Sequence, residues 1–316
     1  MEDEKLKGVA GALSADAVAG AVYAAVRHCA THLRPDVLAA MQTARADETQ
    51  ARALSVLDCL LENAHIGQTD GVPICQDTGT CWVRLEIGEE LSVPGNILSR
   101  VNDAMARAYT DGRLRMSVLA DALLDRTNTG DNTPAFAEVA FRPGRGATLH
   151  VLLKGGGSDN ASRVVMLAPG AGWEGVRQVV LDCVHEKAAN ACPPLIVGVG
   201  VGATFDKVAG LAKHALLREV GSPAASPQAA AREAELLAAV NATGIGPAAL
   251  GGSATALAVH LETAPCHIAA LPVAVNMGCS AMRSTSIDLV SWETGLPVAN
   301  PTANLAYTPV EEGGNR

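Results

Sequence analysis

The chain has 316 residues, 48% of them hydrophobic but only 3% aromatic, with a formal net charge of -9. That length allows one large domain or two of ordinary size, with a substantial core built from small aliphatic side chains. The acidic balance and the lack of any lysine or arginine run exclude nucleic acid as a partner. The acidic start Met1-Glu2-Asp3-Glu4-Lys5, with no uninterrupted apolar stretch of about 18 residues, predicts neither a secretory signal nor a membrane span, and so a cytoplasmic protein.

In chain order, residues 14 to 33 place Val22, Ala25, Val26 and Cys29 at helical spacing. A second periodic run sets Leu54, Leu57, Leu61 and Ala64 on one face, with Gly67 expected to stop it. A third helix follows Pro94-Gly95-Asn96, carrying Ile97, Val101, Met105 and Ala108 as far as Gly112. Ala137, Val139 and Phe141 then alternate with Glu138 and Arg142. After Pro143-Gly144 a matching run holds Leu149, Val151 and Leu153, which predicts an antiparallel strand pair. Helix signals return at 173–189, 205–218 and 227–240, strands are predicted at 195–199 and 268–275, and 221–227 is predicted as an exposed loop. The fold class expected is α+β: an N-terminal helical layer packed with a mixed or antiparallel sheet and further helices. Residues 1–125 form the mainly helical region. Residues 126–316 form the α+β region with the glycine-rich loop and two loop cysteines, the whole making one compact unit.

Eight cysteines in a reducing compartment are core residues, metal ligands or catalytic thiols rather than disulfides. Cys29, Cys59 and Cys183 fall within helical apolar runs and read as small buried hydrophobes. Cys75, Cys192 and Cys279 abut proline, glycine or polar residues, as loop ligands do, with Cys81 and Cys266 as rivals. Their separations of 117 and 87 residues match no local metal signature, so spacing alone leaves a shared site open.

Four separated segments resemble the alpha subunit of the class I, iron-sulfur-dependent fumarase and L-tartrate dehydratase family. They are Pro73-Ile74-Cys75-Gln76-Asp77-Thr78-Gly79; Lys154-Gly155-Gly156-Gly157-Ser158; Ala191-Cys192-Pro193-Pro194 with Gly198, Gly200 and Gly202; and His267 through Asn276 to Cys279 and Arg283. The resemblance implies a 4Fe-4S cluster held by Cys75, Cys192 and Cys279, with one open iron for the hydroxyl and neighbouring carboxylate of a small dicarboxylate. It further implies Asp77 as acid or base, His267 near the cluster, and Gln76 and Arg115 as substrate ligands. Gly155, Gly156, Gly157 and Ser158 would form a substrate loop, with Asn160 beside it. Removing water from a 2-hydroxy acid needs a Lewis acid at the hydroxyl and a base at the adjacent carbon, which suits this set. Fused members of the family carry a further C-terminal domain. Its absence here implies a separate beta subunit, with pairing of alpha subunits.

Two other classes stay open at this level. Gly198-Val199-Gly200-Val201-Gly202 after an apolar strand resembles a dinucleotide turn, although the strict spacing fails at Ala203. An orphan subunit carrying a cluster as a sensor is the other. His28 and His32, four apart, have no third ligand and are assigned to solvent or an interface.

Overall fold

The computed structural model describes residues 13–289 and has the expected α+β character. Its helices are α1 (Ala15–Thr31), α2 (Pro35–Asp47), α3 (Ala51–Asp70), α4 (Val101–Asp111), α5 (Gly156–Asn160), α6 (Gly172–Lys187), α7 (Phe205–Ala215) and α8 (Pro227–Asn241). Its strands are β1 (Thr80–Gly88), β2 (Phe136–Arg142), β3 (Ala147–Lys154), β4 (Arg163–Leu167), β5 (Leu195–Ala203), β6 (Ala256–Cys266), β7 (Leu271–Gly278) and β8 (Arg283–Asp288). The described residues fall into two compact units, one of residues 13–30, 75–153 and 284–289, the other of residues 31–74 and 154–283. Each unit draws on residues from both sides of position 125.

The first unit is built on the sheet β2-β1-β3-β8. Alanine, valine and glycine surround α1 so completely that every residue from Val18 to Val26 is buried, the signature of a helix inside a core. It shares that core with Val83, Leu85 and Ile87 of β1, Leu149, Val151 and Leu153 of β3, and Met105 and Tyr109 of α4. The predicted strands at 137–142 and 149–153 both form, yet they do not pair with each other. β1 lies between them and runs parallel to β2, from Trp82 opposite Phe136 to Gly88 opposite Arg142. Alternation identifies which residues share a sheet face, but not which strand is the neighbour. The edge position also leaves Phe141 76% exposed, although its alternation suggested an inward side chain.

The second unit holds the sheet β4-β7-β5-β6, with β5 parallel to β6 and antiparallel to β7. Val176, Val180 and Cys183 of α6 and Leu236 and Val240 of α8 pack with Val197, Val199, Val273 and Val275. On another face, Val208 and Ala212 of α7 meet Ala274. The glycines expected as a possible dinucleotide turn are strand residues instead. A Cβ on Gly198 would lie 2.1 Å from the Ala212 carbonyl oxygen, and one on Gly200 would lie 2.6 Å from that of Val208. Their lack of a side chain lets α7 rest directly on β5. Gly67 does not end α3 but sits inside it, where Ile74 occupies the space of its missing Cβ, and the helix stops at Gly71 with φ 66°. Cys29 and Cys183 are buried as expected, whereas Cys59 is exposed. The buried face of α3 is Ala53, Leu57, Ala64 and Gly67, and Cys59 lies two residues, about 200° of helix, away from Leu57.

A buried carboxylate joins the α2–α3 connection to a distant loop. Glu48 is 6% exposed and accepts hydrogen bonds from the Thr49, Gln50 and Ser253 N–H groups and from the Ser253 hydroxyl, at 2.7 to 2.9 Å. Although burial opposes ionisation, these donors hold its pKa down to about 2 against an ordinary 4.5. Because the folded value is depressed, the stabilisation is complete above about pH 4.5 and is lost as pH falls towards 2. Glu48→Gln is expected to lower stability by about 1–3 kcal/mol at pH 7. In denaturant titrations the gap from the unsubstituted chain should narrow as pH falls through that window; a gap independent of pH would contradict the account.

Candidate active site

In the first unit the segment after Cys75 is clamped from below. Thr78 is buried and its hydroxyl donates to the Arg115 carbonyl at 2.8 Å. The buried Tyr109 hydroxyl reaches the carbonyls of Thr78 and Gly79 at 3.0 and 2.9 Å, and Asn132 Nδ2 donates to the Gly79 carbonyl at 3.0 Å. Asn132 also accepts from the Ser117 and Val118 N–H groups, so one side chain ties the cysteine segment to residues 115–118. Above this base, Cys75 Sγ lies 3.6 Å from Gln76 Oε1, and Asp77 accepts the Gly79 N–H at 3.1 Å in a tight turn. Gln76 and Arg115 are exposed and Asp77 is half-buried. A thiol, an amide, a carboxylate and a guanidinium are thus carried by two adjoining segments on a rigid footing. The sequence offered no sign of Tyr109 and Asn132, because their role is to satisfy backbone carbonyls from far along the chain.

In the second unit, the segments before β5 and after β7 come together. The Ser280 N–H donates to the Cys192 carbonyl at 2.9 Å, so the backbones of Cys192 and Cys279 are neighbours despite their distance in sequence. Cys192 is exposed and adopts a left-handed conformation, φ 55° and ψ 70°, uncommon for a residue with a side chain. The glycine-rich loop becomes the short helix α5 and lies against the same region: a Cβ on Gly157 would stand 2.8 Å from the Asn190 carbonyl oxygen. Gly156 and Gly157 are exposed while Gly155 and Ser158 are buried.

Two buried cations accompany these segments. Lys154 is 2% exposed and Arg283 1%. Burial holds the Lys154 ammonium down to about pKa 8; Asp159 and Cys279 oppose that shift, and Lys213 and Arg283 add to it. Both residues stood within the sequence motifs but were not singled out, since neither spacing nor composition reveals that a lysine is buried. Asn276 donates through Nδ2 to the Ser162 hydroxyl at 2.9 Å, while its buried Oδ1 has no hydrogen-bond partner among the described residues.

The rival cysteines separate on burial. Cys81 is fully buried beside Cys29, and burial, reinforced by that second thiol, pushes its own thiol far up and keeps it protonated. Cys266 is exposed in the β6–β7 turn, with Sγ 3.3 Å from the Ala270 carbonyl. His267 belongs to that same turn, where its Nδ1 accepts the Ala269 N–H at 3.1 Å. The eight residues of β7 then separate it from Cys279, a span of roughly 26 Å. Within the second unit an extended strand thus carries His267 and Cys279 to opposite ends of the sheet.

Comparison with known proteins shows the family. A profile of the family described as fumarate hydratase (fumerase) matches residues 19–288. A Methanocaldococcus jannaschii protein, provisionally named L(+)-tartrate dehydratase subunit alpha, is 35% identical over 263 residues, covering 81% of this chain and 92% of its own length. The L(+)-tartrate dehydratase subunit alpha of Escherichia coli strain UTI89 is 32% identical over 257 residues, covering 80% of this chain and 84% of its own. The subunit of the same name from strain K12 is 31% identical over the same length. The chain belongs to the fumarate hydratase family and is, with that family, a hydro-lyase.

Proposed function

We propose that the chain is the alpha subunit of an iron-sulfur hydro-lyase that removes water from, or adds it to, a four-carbon dicarboxylate. L-tartrate, dehydrated to oxaloacetate, is the leading substrate, because the relatives compared are named for that activity. Malate and fumarate form the second pair. The observation that carries the proposal is the meeting of Cys192 and Cys279 backbones beside buried Lys154 and Arg283. The donor set fits a 4Fe-4S cluster: thiolates and sulfides are soft and anionic, and two buried cations suit that charge. Cys192 and Cys279 would be ligands, with Cys75 the third on the strength of its motif. A cluster with one open iron supplies the Lewis acid that lets the substrate hydroxyl depart.

The chain's own groups have separate tasks. Asp77, fixed by the Gly79 N–H, would take or return the proton on the carbon next to the departing hydroxyl. Arg115 offers a two-pronged donor for a substrate carboxylate, and Gln76 an amide to orient it. The glycine turn 155–157 lets backbone approach the second carboxylate without side-chain interference, with Ser158 holding the turn from beneath. A separate beta subunit would complete the site, as the relatives' subunit names suggest, and alpha subunits would pair in a cytoplasmic assembly.

Two tests follow. After anaerobic reconstitution, Cys75→Ser, Cys192→Ser and Cys279→Ser are each expected to abolish the broad absorption near roughly 400 nm that thiolate-bound iron-sulfur clusters give. Exchanging the exposed Cys59 or Cys266 should spare it, and full absorption in any of the first three would remove that ligand from the assignment. With the beta chain co-expressed, Asp77→Asn should lower kcat on L-tartrate by about 10²–10⁴-fold while cluster absorption persists. A loss below about threefold would rule out Asp77 as acid or base.

A further inference from the structure

Lys154 bridges the glycine turn and the end of β7, two parts of the second unit that Asn276 also ties together through the Ser162 hydroxyl. It ends β3 and leads directly into Gly155. Its Nζ donates to the Ser158 hydroxyl at 2.8 Å and to the Met277 carbonyl at 2.6 Å. Ser158 closes the glycine turn by donating to the Gly155 carbonyl at 3.2 Å, and Met277 stands two residues before Cys279 in β7. One ammonium therefore grips the glycine turn on one side and the strand end bearing a cysteine on the other. Asp159 lies 3.9 Å from Nζ and 3.8 Å from the ammonium of Lys213.

Energetics argue that this lysine is not there for stability. Burying an ammonium costs several kcal/mol, and a methionine of similar length would fill the space without that cost. A buried charge retained in this setting, with its donors aimed at two specific acceptors, points to geometry as its purpose.

We propose that Lys154 is a positioning residue: it locks the glycine turn to the Cys279 strand end, so that the group holding the substrate carboxylate and the group holding the metal keep a fixed separation. The lock makes the glycine turn and the strand end one template, which matters because displacement of a reacting group by about 1 Å costs on the order of 10²-fold in rate. This rests on the cluster reading above, but its physical core, the two-sided bridge, does not need the metal.

The test uses the full chain, metal-free for amide hydrogen exchange followed by mass spectrometry, and reconstituted with the beta chain for kinetics on L-tartrate and, in parallel, malate. In Lys154→Met, exchange is expected to quicken about tenfold in both segments 155–160 and 276–280, with the KM rising about tenfold, kcat falling less, and iron content unchanged. The change in the electron paramagnetic resonance spectrum of the chemically reduced cluster on adding substrate should also weaken. Unchanged exchange in either segment overturns the bridge. Quickened exchange with an unchanged KM and an unchanged substrate-induced spectrum overturns the positioning role. Should Lys154→Met fail to fold, Ser158→Ala decides. Cutting the turn side alone should quicken exchange in 155–160 and raise the KM about threefold, and unaltered values refute the proposal. A reconstituted unsubstituted protein without iron sinks the cluster reading instead, and the exchange arms still judge the bridge.

Discussion

The antiparallel pairing of β5 with β7 is the constraint on which the second unit depends. Ile196 stands opposite Gly278 and Val201 opposite Val273, so the chain entering β5 and the chain leaving β7 are at the same end of the sheet. Cys192 precedes the one and Cys279 follows the other, and the Ser280 N–H to Cys192 carbonyl bond closes the join. Both strands are interior to the sheet, and Val197, Val199, Val273 and Val275 are buried between its layers. A slip of either strand by one residue would turn its two valines to the wrong face. The relative placement of two candidate ligands is thus set by core packing rather than by loop conformation.

Electrostatics follow from that placement. The end of the sheet holding Cys192 and Cys279 is also where Lys154 and Arg283 are buried, and cations inside a protein are tolerated where bonded partners or an anionic group repay their desolvation. Asp159 is half in solvent and shared with Lys213, which makes it a weak counterweight. In the first unit the logic is different. The segment after Cys75 is held by neutral hydrogen bonds involving Tyr109, Thr78 and Asn132, which fix its backbone.

Local periodicity made the elements legible and left their partners obscure. α6, α7 and α8 lie where the 3.6-residue pattern put them, and Ser226, accepting the Ala229 N–H, begins α8 inside the loop predicted there. α2 escaped notice because it buries little beyond Val37 and Met41, too few apolar positions for a stripe. β6 was missed because Ala, Glu, Thr and Pro dilute its alternation, and β1 because the segment around it was read as part of a helical layer. The meeting of Cys192 and Cys279 depends on a register formed across some 80 residues and invisible to spacing. His267 shows the converse: it shares a motif with Cys279, yet an extended strand drives them apart.

Scarcity of aromatic side chains has a consequence that reaches the site. Small residues let helices and strands approach closely, and in β5 the effect is extreme, since Gly198 and Gly200 leave no room for any Cβ beneath α7. With its Val208 and Ala212 seated on the sheet, α7 presents Lys213 from its last turn to Asp159, 3.8 Å away in α5. Asp159 is the neighbour of Ser158, and its own N–H returns to the Gly155 carbonyl at 3.0 Å. Two glycines in a strand therefore fix the height of a helix, the helix fixes a lysine, and the lysine steadies the short helix that carries the glycine turn. A bulky residue at either glycine would lift α7 and draw Lys213 away, loosening the turn from a distance.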